Sequence, residues 1–126
     1  MHWGAFRRTR AASARDKLNI ASVGVGGKGW SDMLETSQGQ NVVAICDVDT
    51  KILGKAAAKF PNARCYSDWR NLLEQKDIDA VTVSTPDHMH APIAMSAMQL
   101  GKHVYVQKPL SHSIYETRQM TMAAKE

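Results

Sequence analysis

The sequence predicts an α/β fold, a doubly wound parallel sheet, on three observations. Short apolar runs alternate with amphipathic stretches from Leu18 onward. Two of those runs, "NVVAICD" (41–47) and "DAVTVSTP" (79–86), are almost continuously apolar or β-branched, as in strands buried on both faces. Gly24, Gly26, Gly27 and Gly29 crowd the junction between the first run and the first amphipathic stretch. Glycine costs roughly 1 kcal/mol per position in a helix relative to Ala, so this cluster needs a reason.

The elements follow in order. "LNIASVG" (18–24) reads as the first strand, and a helix is expected over 28–38 with Trp30, Met33 and Leu34 turned inward. After the strand at 41–47, Asp49 can cap a helix carrying Ile52, Leu53, Ala56 and Phe60 on one side, stopped by Pro61. "ARCY" (63–66) is a short strand, and Ser67 and Asp68 can open a short helix with Trp69, Leu72 and Leu73 facing in. The strand at 79–86 ends at Pro86. A helix over 89–100 then places Met89, Ile93, Ala97 and Leu100 on one face, with Pro92 in its first turn and Gly101 beyond its end. "HVYVQ" (103–107) is the fifth strand, and Ser113 with Glu116 forms a capping box for a last helix. That helix reaches Glu126 without a Gly or Pro stop, which predicts a chain that continues. Right-handed crossovers between buried parallel strands favour the order 3-2-1-4-5.

Composition narrows the partners. The net charge of +4 resides in an arm: residues 1–17 carry five basic side chains against Asp16, while residues 18–126 carry eleven of each sign. Residues 1–16 are therefore expected to be a basic, disordered arm, and 17–126 one domain. Neither a nucleic-acid nor a membrane partner is expected, and no apolar run is long enough to span a bilayer. Arg7-Arg8 has the form of a twin-arginine export signal, but no apolar stretch follows it before Asp16, so the expected location is cytoplasmic. Cys46 and Cys65 each fall in an expected strand and read as reduced core residues.

The glycines acquire a purpose from their context. Gly24, Gly26 and Gly29 spell G-x-G-x-x-G between strand and helix, and Asp47 closes the second strand eighteen residues beyond Gly29. Gly24 permits the tight turn, Gly26 leaves room for a pyrophosphate, and Gly29 lets the helix approach the strand. The N–H groups at the helix start, around Gly27 and Lys28, then point at the phosphates, where the helix dipole favours negative charge. Asp47 would accept hydrogen bonds from the adenosine ribose hydroxyls. No Arg follows it to receive a 2′-phosphate, and Lys51 is the nearest cation in sequence, which favours NAD over NADP. This is a Rossmann dinucleotide-binding pattern. His88 and His90, spaced H-x-H, lack a third and fourth ligand nearby, so no metal is expected.

"STPDHMHAPIAMSAMQLGKHVYVQKPLS" (84–111) resembles the strand-helix-strand section of the glucose–fructose oxidoreductase and inositol dehydrogenase family. The glycine loop, Asp47, Thr85-Pro86, His90 and Lys108-Pro109 recur in register, and the resemblance covers residues 18–126. It implies that Ser84, Thr85 and Pro86 line the nucleotide cleft with His88 and His90 beside it. It implies also that Gln107, Lys108 and Pro109 end strand five at the cofactor, with Lys108 catalytic at the nicotinamide and substrate. Gln107 stands where the family usually has Glu, which removes a charge beside Lys108. The resemblance implies an NAD(P)-dependent oxidoreductase moving a hydride to or from a sugar-like or polyol carbon. The substrate domain is absent from these residues, so the chain alone is expected to bind nicotinamide dinucleotide without turnover. A small polar substrate would need a second domain. The alternative is a stand-alone NAD(H)-sensing module, and oligomeric state is left open.

Overall fold

The computed structural model describes residues 17–108 and 114–125. Its strands are β1 (Asn19–Val23), β2 (Asn41–Cys46), β3 (Arg64–Tyr66), β4 (Ala80–Val83) and β5 (His103–Val106). Between and after them run α1 (Lys28–Thr36), α2 (Thr50–Lys59), α3 (Trp69–Leu73), α4 (His90–Gln99) and α5 (Ile114–Lys125), with a 3₁₀ turn at Asp87–Met89 before α4. The sheet order is β3-β2-β1-β4-β5 and all four pairings are parallel, as expected for right-handed crossovers.

Each face of the sheet is covered. Val25, Met33, Ile45 and Ala56 form the core beneath α1 and α2, with Trp30, Ile52 and Phe60 packed around it. On the other face, Val23, Cys46, Val81 and Val83 meet Leu72 and Leu73 of α3 and Ile93 and Ala97 of α4. α5 packs on α4 through Met120 against Ala91 and Ala94. The switch of direction between β1 and β4 opens a crevice at the carboxyl edge of the strands, the place where such sheets bind ligands.

Local chemistry accounts for most of the boundaries. Asp49 caps α2 by accepting from the N–H groups of Lys51 (2.9 Å) and Ile52 (3.3 Å), and Asp68 caps α3 through Arg70 N–H (2.9 Å). α1 ends two residues earlier than its apolar spacing predicts, because the chain turns through Gly39 at φ 73°. Two core expectations are corrected. Cys65 is exposed, because β3 is a three-residue edge strand with little packed upon it. Leu100 is 58% exposed, because α4 ends at Gln99 and Leu100 lies past the buried face. The expected arm, the Ser113 cap and Pro109 lie outside the described residues.

Candidate functional site: a cleft at the carboxyl edge of the sheet

A cleft of about 590 Å³ lies along the carboxyl ends of β1, β2 and β4. Of the residues singled out in the sequence, Gly24, Gly26, Asp47, Ser84, Thr85, Pro86 and His88 line it. Gly27, Lys28, Gly29, His90, Gln107 and Lys108 do not, and the structure gives several of these another task.

The glycines divide by what surrounds them. Gly24 sits at φ +84°, and a Cβ there would stand 2.7 Å from the Ser84 carbonyl oxygen. At Gly29 a Cβ would overlap the Gly24 carbonyl oxygen. Both positions are therefore required by the protein's own backbone, where β1, α1 and the end of β4 meet. Gly26 is different. A Cβ added there would meet the Ile52 side chain, Cδ1 at 2.9 Å and Cγ2 at 3.0 Å, and the residue faces the cleft. The turn bonds Gly29 N–H to Gly26 O (2.9 Å) and Trp30 N–H to Gly27 O (3.1 Å). The N–H groups of Gly26 and Gly27 have no hydrogen-bond acceptor among the described residues. Two free donors beside a missing side chain form a cradle that fits a pyrophosphate.

Asp47 is aimed by the backbone. Its Oδ2 accepts from Val25 N–H at 3.0 Å and its Oδ1 from Asp49 N–H at 2.9 Å. A carboxylate has about four lone-pair sites, so acceptor capacity remains for a ribose diol. The far wall was not legible in the sequence: Ser67, Asp68, Trp69 and Arg70 come from the segment after β3. Among the described residues, Arg70 rather than Lys51 is the cation that lines the cleft. It is already engaged, with Nε 3.2 Å from Asp68 Oδ1 and its guanidinium 5.5 Å from the Trp69 ring centroid. Hydrogen bonding from the Arg70 backbone N–H, then from its side chain, holds the Asp68 carboxyl below its ordinary range. Cys46 closes the floor. Burial, followed by the nearby charges of Asp47 and Asp68, pushes its thiol up to about 12, so it remains neutral.

His90 and Gln107 hold loops in place. The His90 ring is 1% exposed, and its Nε2 lies 2.8 Å from the Thr85 carbonyl oxygen, so Nε2 carries the proton and fixes the Thr85-Pro86 turn. His88, two residues earlier, lies exposed along the cleft, so the two imidazoles occupy separate environments. Among the described residues, no three His, Cys, Asp or Glu side chains are grouped to hold a metal ion. Gln107 points to a residue that the sequence reading missed. Asp32, 3% exposed on α1, accepts from Gln107 Nε2 (2.7 Å) and Ser84 Oγ (2.8 Å) on the same Oδ2. Its Oδ1 lies 3.5 Å from Lys28 Nζ. Burial pushes the Asp32 carboxyl up, but the Gln107 and Ser84 hydrogen bonds and the Lys28 ammonium outweigh it, leaving the group below the usual aspartate range. A sequence cue existed: Asp32 sits three residues after Gly29 and beside Met33, on the inner stripe of α1. Lys108 is exposed at the end of β5, and its backbone N–H donates to Gln107 Oε1 at 3.0 Å.

Residues 18–126 match the oxidoreductase family with an NAD-binding Rossmann fold. Levoglucosan dehydrogenase of Pseudarthrobacter phenanthrenivorans is 35% identical over 82 residues, 65% of this chain and 21% of that protein. A glycosyl hydrolase family 109 protein of Shewanella sp. (strain W3-18-1) is 32% identical over 125 residues, 90% of this chain and 27% of that protein. The crystal structure of the WlbA dehydrogenase of Bordetella pertussis, in complex with NADH and UDP-GlcNAcA, superposes with a TM-score of 0.77 at 27% identity. That match covers 86% of this chain and 34% of WlbA. The chain thus spans about a fifth to a third of the length of these relatives. No helix among the described residues is long and apolar enough to cross a membrane. With the fold, the glycine cradle and the family match in agreement, the chain belongs to the glucose–fructose oxidoreductase and inositol dehydrogenase family, as its NAD-binding Rossmann domain.

Proposed function

We propose that this chain forms the cofactor wall of an oxidoreductase acting on a sugar-like or polyol carbon, with NAD preferred over NADP. Residues 17–126 are the dinucleotide-binding unit in this reading, and 1–16 an arm outside it. The observation that carries it is Gly26: it opens onto the cleft, its N–H and that of Gly27 have no acceptor among the described residues, and the atoms nearest to an added Cβ belong to the Ile52 side chain rather than to backbone. When bound, the nicotinamide supplies the hydride acceptor or donor.

The chain's residues divide the remaining work. The Gly26 and Gly27 N–H groups hold the pyrophosphate, and the Asp47 carboxylate, aimed by Val25 and Asp49, holds the adenosine ribose. That charge disfavours a 2′-phosphate, and Arg70 is drawn away by Asp68. Thr85 and Pro86 form the edge beside the nicotinamide, in a turn that His90 fixes. Lys108 orients and polarises the substrate oxygen from the carboxyl edge of β5. The sugar-directed names of the relatives support the substrate class. Hydride transfer needs the reacting carbon held about 3 to 3.5 Å from its acceptor. Lys108 is exposed, so this domain alone binds the cofactor and turns nothing over.

Calorimetric titration with NADH, together with an assay for NADH formation from NAD and a panel of sugars and polyols, tests the reading. Binding without turnover is expected. Failure to bind NADH overturns the reading, and turnover lost in Lys108→Met overturns the claim that a second wall is needed.

A further inference from the structure

We propose that Asp32 is a positioning residue for Lys108, acting through the Gln107 amide, and that residue 107 must be uncharged because its buried partner already carries the charge. The proposal rests on the role given above to Lys108.

A carboxylate buried on the inner stripe of a Rossmann helix needs a reason, because burying a charge without partners is costly. Asp32 has its partners, and they come from different parts of the chain. Ser84 Oγ brings the end of β4, Gln107 Nε2 the end of β5, and Lys28 Nζ the exposed rim of α1. Both loop bonds converge on Oδ2, at 2.8 and 2.7 Å. That geometry decides which way the Gln107 amide faces: its nitrogen must point to the carboxylate, so its oxygen points to Lys108. Oε1 accepts the Lys108 N–H at 3.0 Å. A primary amide does both without titrating: it donates to a carboxylate with one end and accepts a backbone N–H with the other, which an ionised carboxylate cannot. The result is a line from α1 through the Gln107 side chain to the Lys108 peptide. It fixes the residue that must present an ammonium to substrate, although Lys108 itself is exposed.

The chemistry also predicts what fails. Glu at position 107 still accepts from Lys108 N–H, but it sets a second carboxylate within hydrogen-bond distance of Asp32. Two carboxylates so placed share a proton, and one is forced to titrate well above its ordinary range. Moving the amide to position 32 and the charge to position 107 restores one carboxylate and one donor.

The test uses the full 126-residue chain, ¹⁵N-labelled and without cofactor, and reads the hydrogen-exchange rate of the Lys108 amide beside those of Ala21 and Val81 in the sheet. Asp32→Leu should speed Lys108 exchange at least tenfold while the sheet amides hold. Asp32→Asn, which keeps an oxygen for both bonds, should stay within threefold of wild type. Gln107→Glu should lose Lys108 protection as pH rises from 5 to 8, and Asp32→Asn/Gln107→Glu should recover it to within threefold. The proposal is overturned if folded Asp32→Leu leaves Lys108 exchange unchanged, or if the double variant is no better than Gln107→Glu. Should Asp32→Leu not fold, the comparison of Gln107→Glu with the double variant decides alone. Because exchange is read without NADH, a chain that fails to bind NADH refutes the proposed function and leaves this result standing on its own.

Discussion

Substituting Gly26 and Gly29 by Ala, one at a time, separates a glycine kept for a ligand from one kept for the fold. At Gly29 the added methyl overlaps the Gly24 carbonyl, a backbone atom that no rotamer change can remove. Overpacking of this kind costs about 3 kcal/mol or more. The helix-propensity gain of Ala over Gly returns roughly 1 kcal/mol. The net loss of about 2 kcal/mol or more lowers Tm by about 8 °C at roughly 4 °C per kcal/mol for a domain of this size. At Gly26 the methyl meets only Ile52 Cδ1 at 2.9 Å and Cγ2 at 3.0 Å, on a half-buried side chain able to shift. A cost near 1 kcal/mol is there largely offset by the unfolded-state freedom that Ala removes, about 0.4–1 kcal/mol, so Tm should move by less than about 4 °C. Affinity should behave in the opposite way. Displacing one charge-assisted hydrogen bond from the cradle costs about 1.5–3 kcal/mol, which weakens NADH binding roughly 10- to 150-fold in Gly26→Ala. Paired calorimetry and thermal melts read both quantities. Gly26→Ala in an Ile52→Val background, which lacks Cδ1, should match the Tm of Ile52→Val alone yet still bind weakly. NADH affinity within twofold of wild type in Gly26→Ala would refute the claim that the pyrophosphate lies over this residue.

Three further outcomes are expected. Asp47→Ser should narrow an NADH-over-NADPH preference of at least about tenfold, roughly 1.4 kcal/mol, to threefold or less; equal binding of both by the wild type would remove Asp47 as the discriminator. A thiol-reactive disulfide reagent at pH 8 should modify Cys65 alone in the native chain and both cysteines after denaturation, because Cys46 is buried with its thiol pushed up to about 12. Reaction of both in the native state would contradict that burial. Asp32 has a folded-state pKa below its ordinary value, so its stabilisation is complete above about pH 4 and is lost as pH falls through the folded value. Thermal melts from pH 7 to pH 2.5 should therefore fall less steeply in Asp32→Asn than in wild type, and parallel curves would show that Asp32 does not contribute.

The order of elements, the sheet topology, the glycine turn after β1 and the acid after β2 were all readable in the chain itself. Each depends on local signals: β-branched runs, caps such as Asp49, and glycines at a strand–helix junction. Handedness then limits how such elements can wind. The tertiary structure supplied the atoms behind those tasks. The motif assigned Gly24 to the turn, Gly26 to the ligand and Gly29 to helix approach; the structure sets the Ser84 carbonyl against Gly24, the Gly24 carbonyl against Gly29 and the Ile52 side chain against Gly26. His90 was expected beside the cleft, and only the structure shows how it is held there: its ring is buried against the carbonyl of Thr85, which lines the cleft. Cys65 and Leu100 left the core because an edge strand and a helix end lack a second layer to cover them. Trp69 and Arg70 entered the cleft, and Asp32 met Gln107 across 75 residues of chain, because the crossovers bring every strand's carboxyl end to one edge. No local pattern encodes such a meeting; it exists only once the sheet is wound.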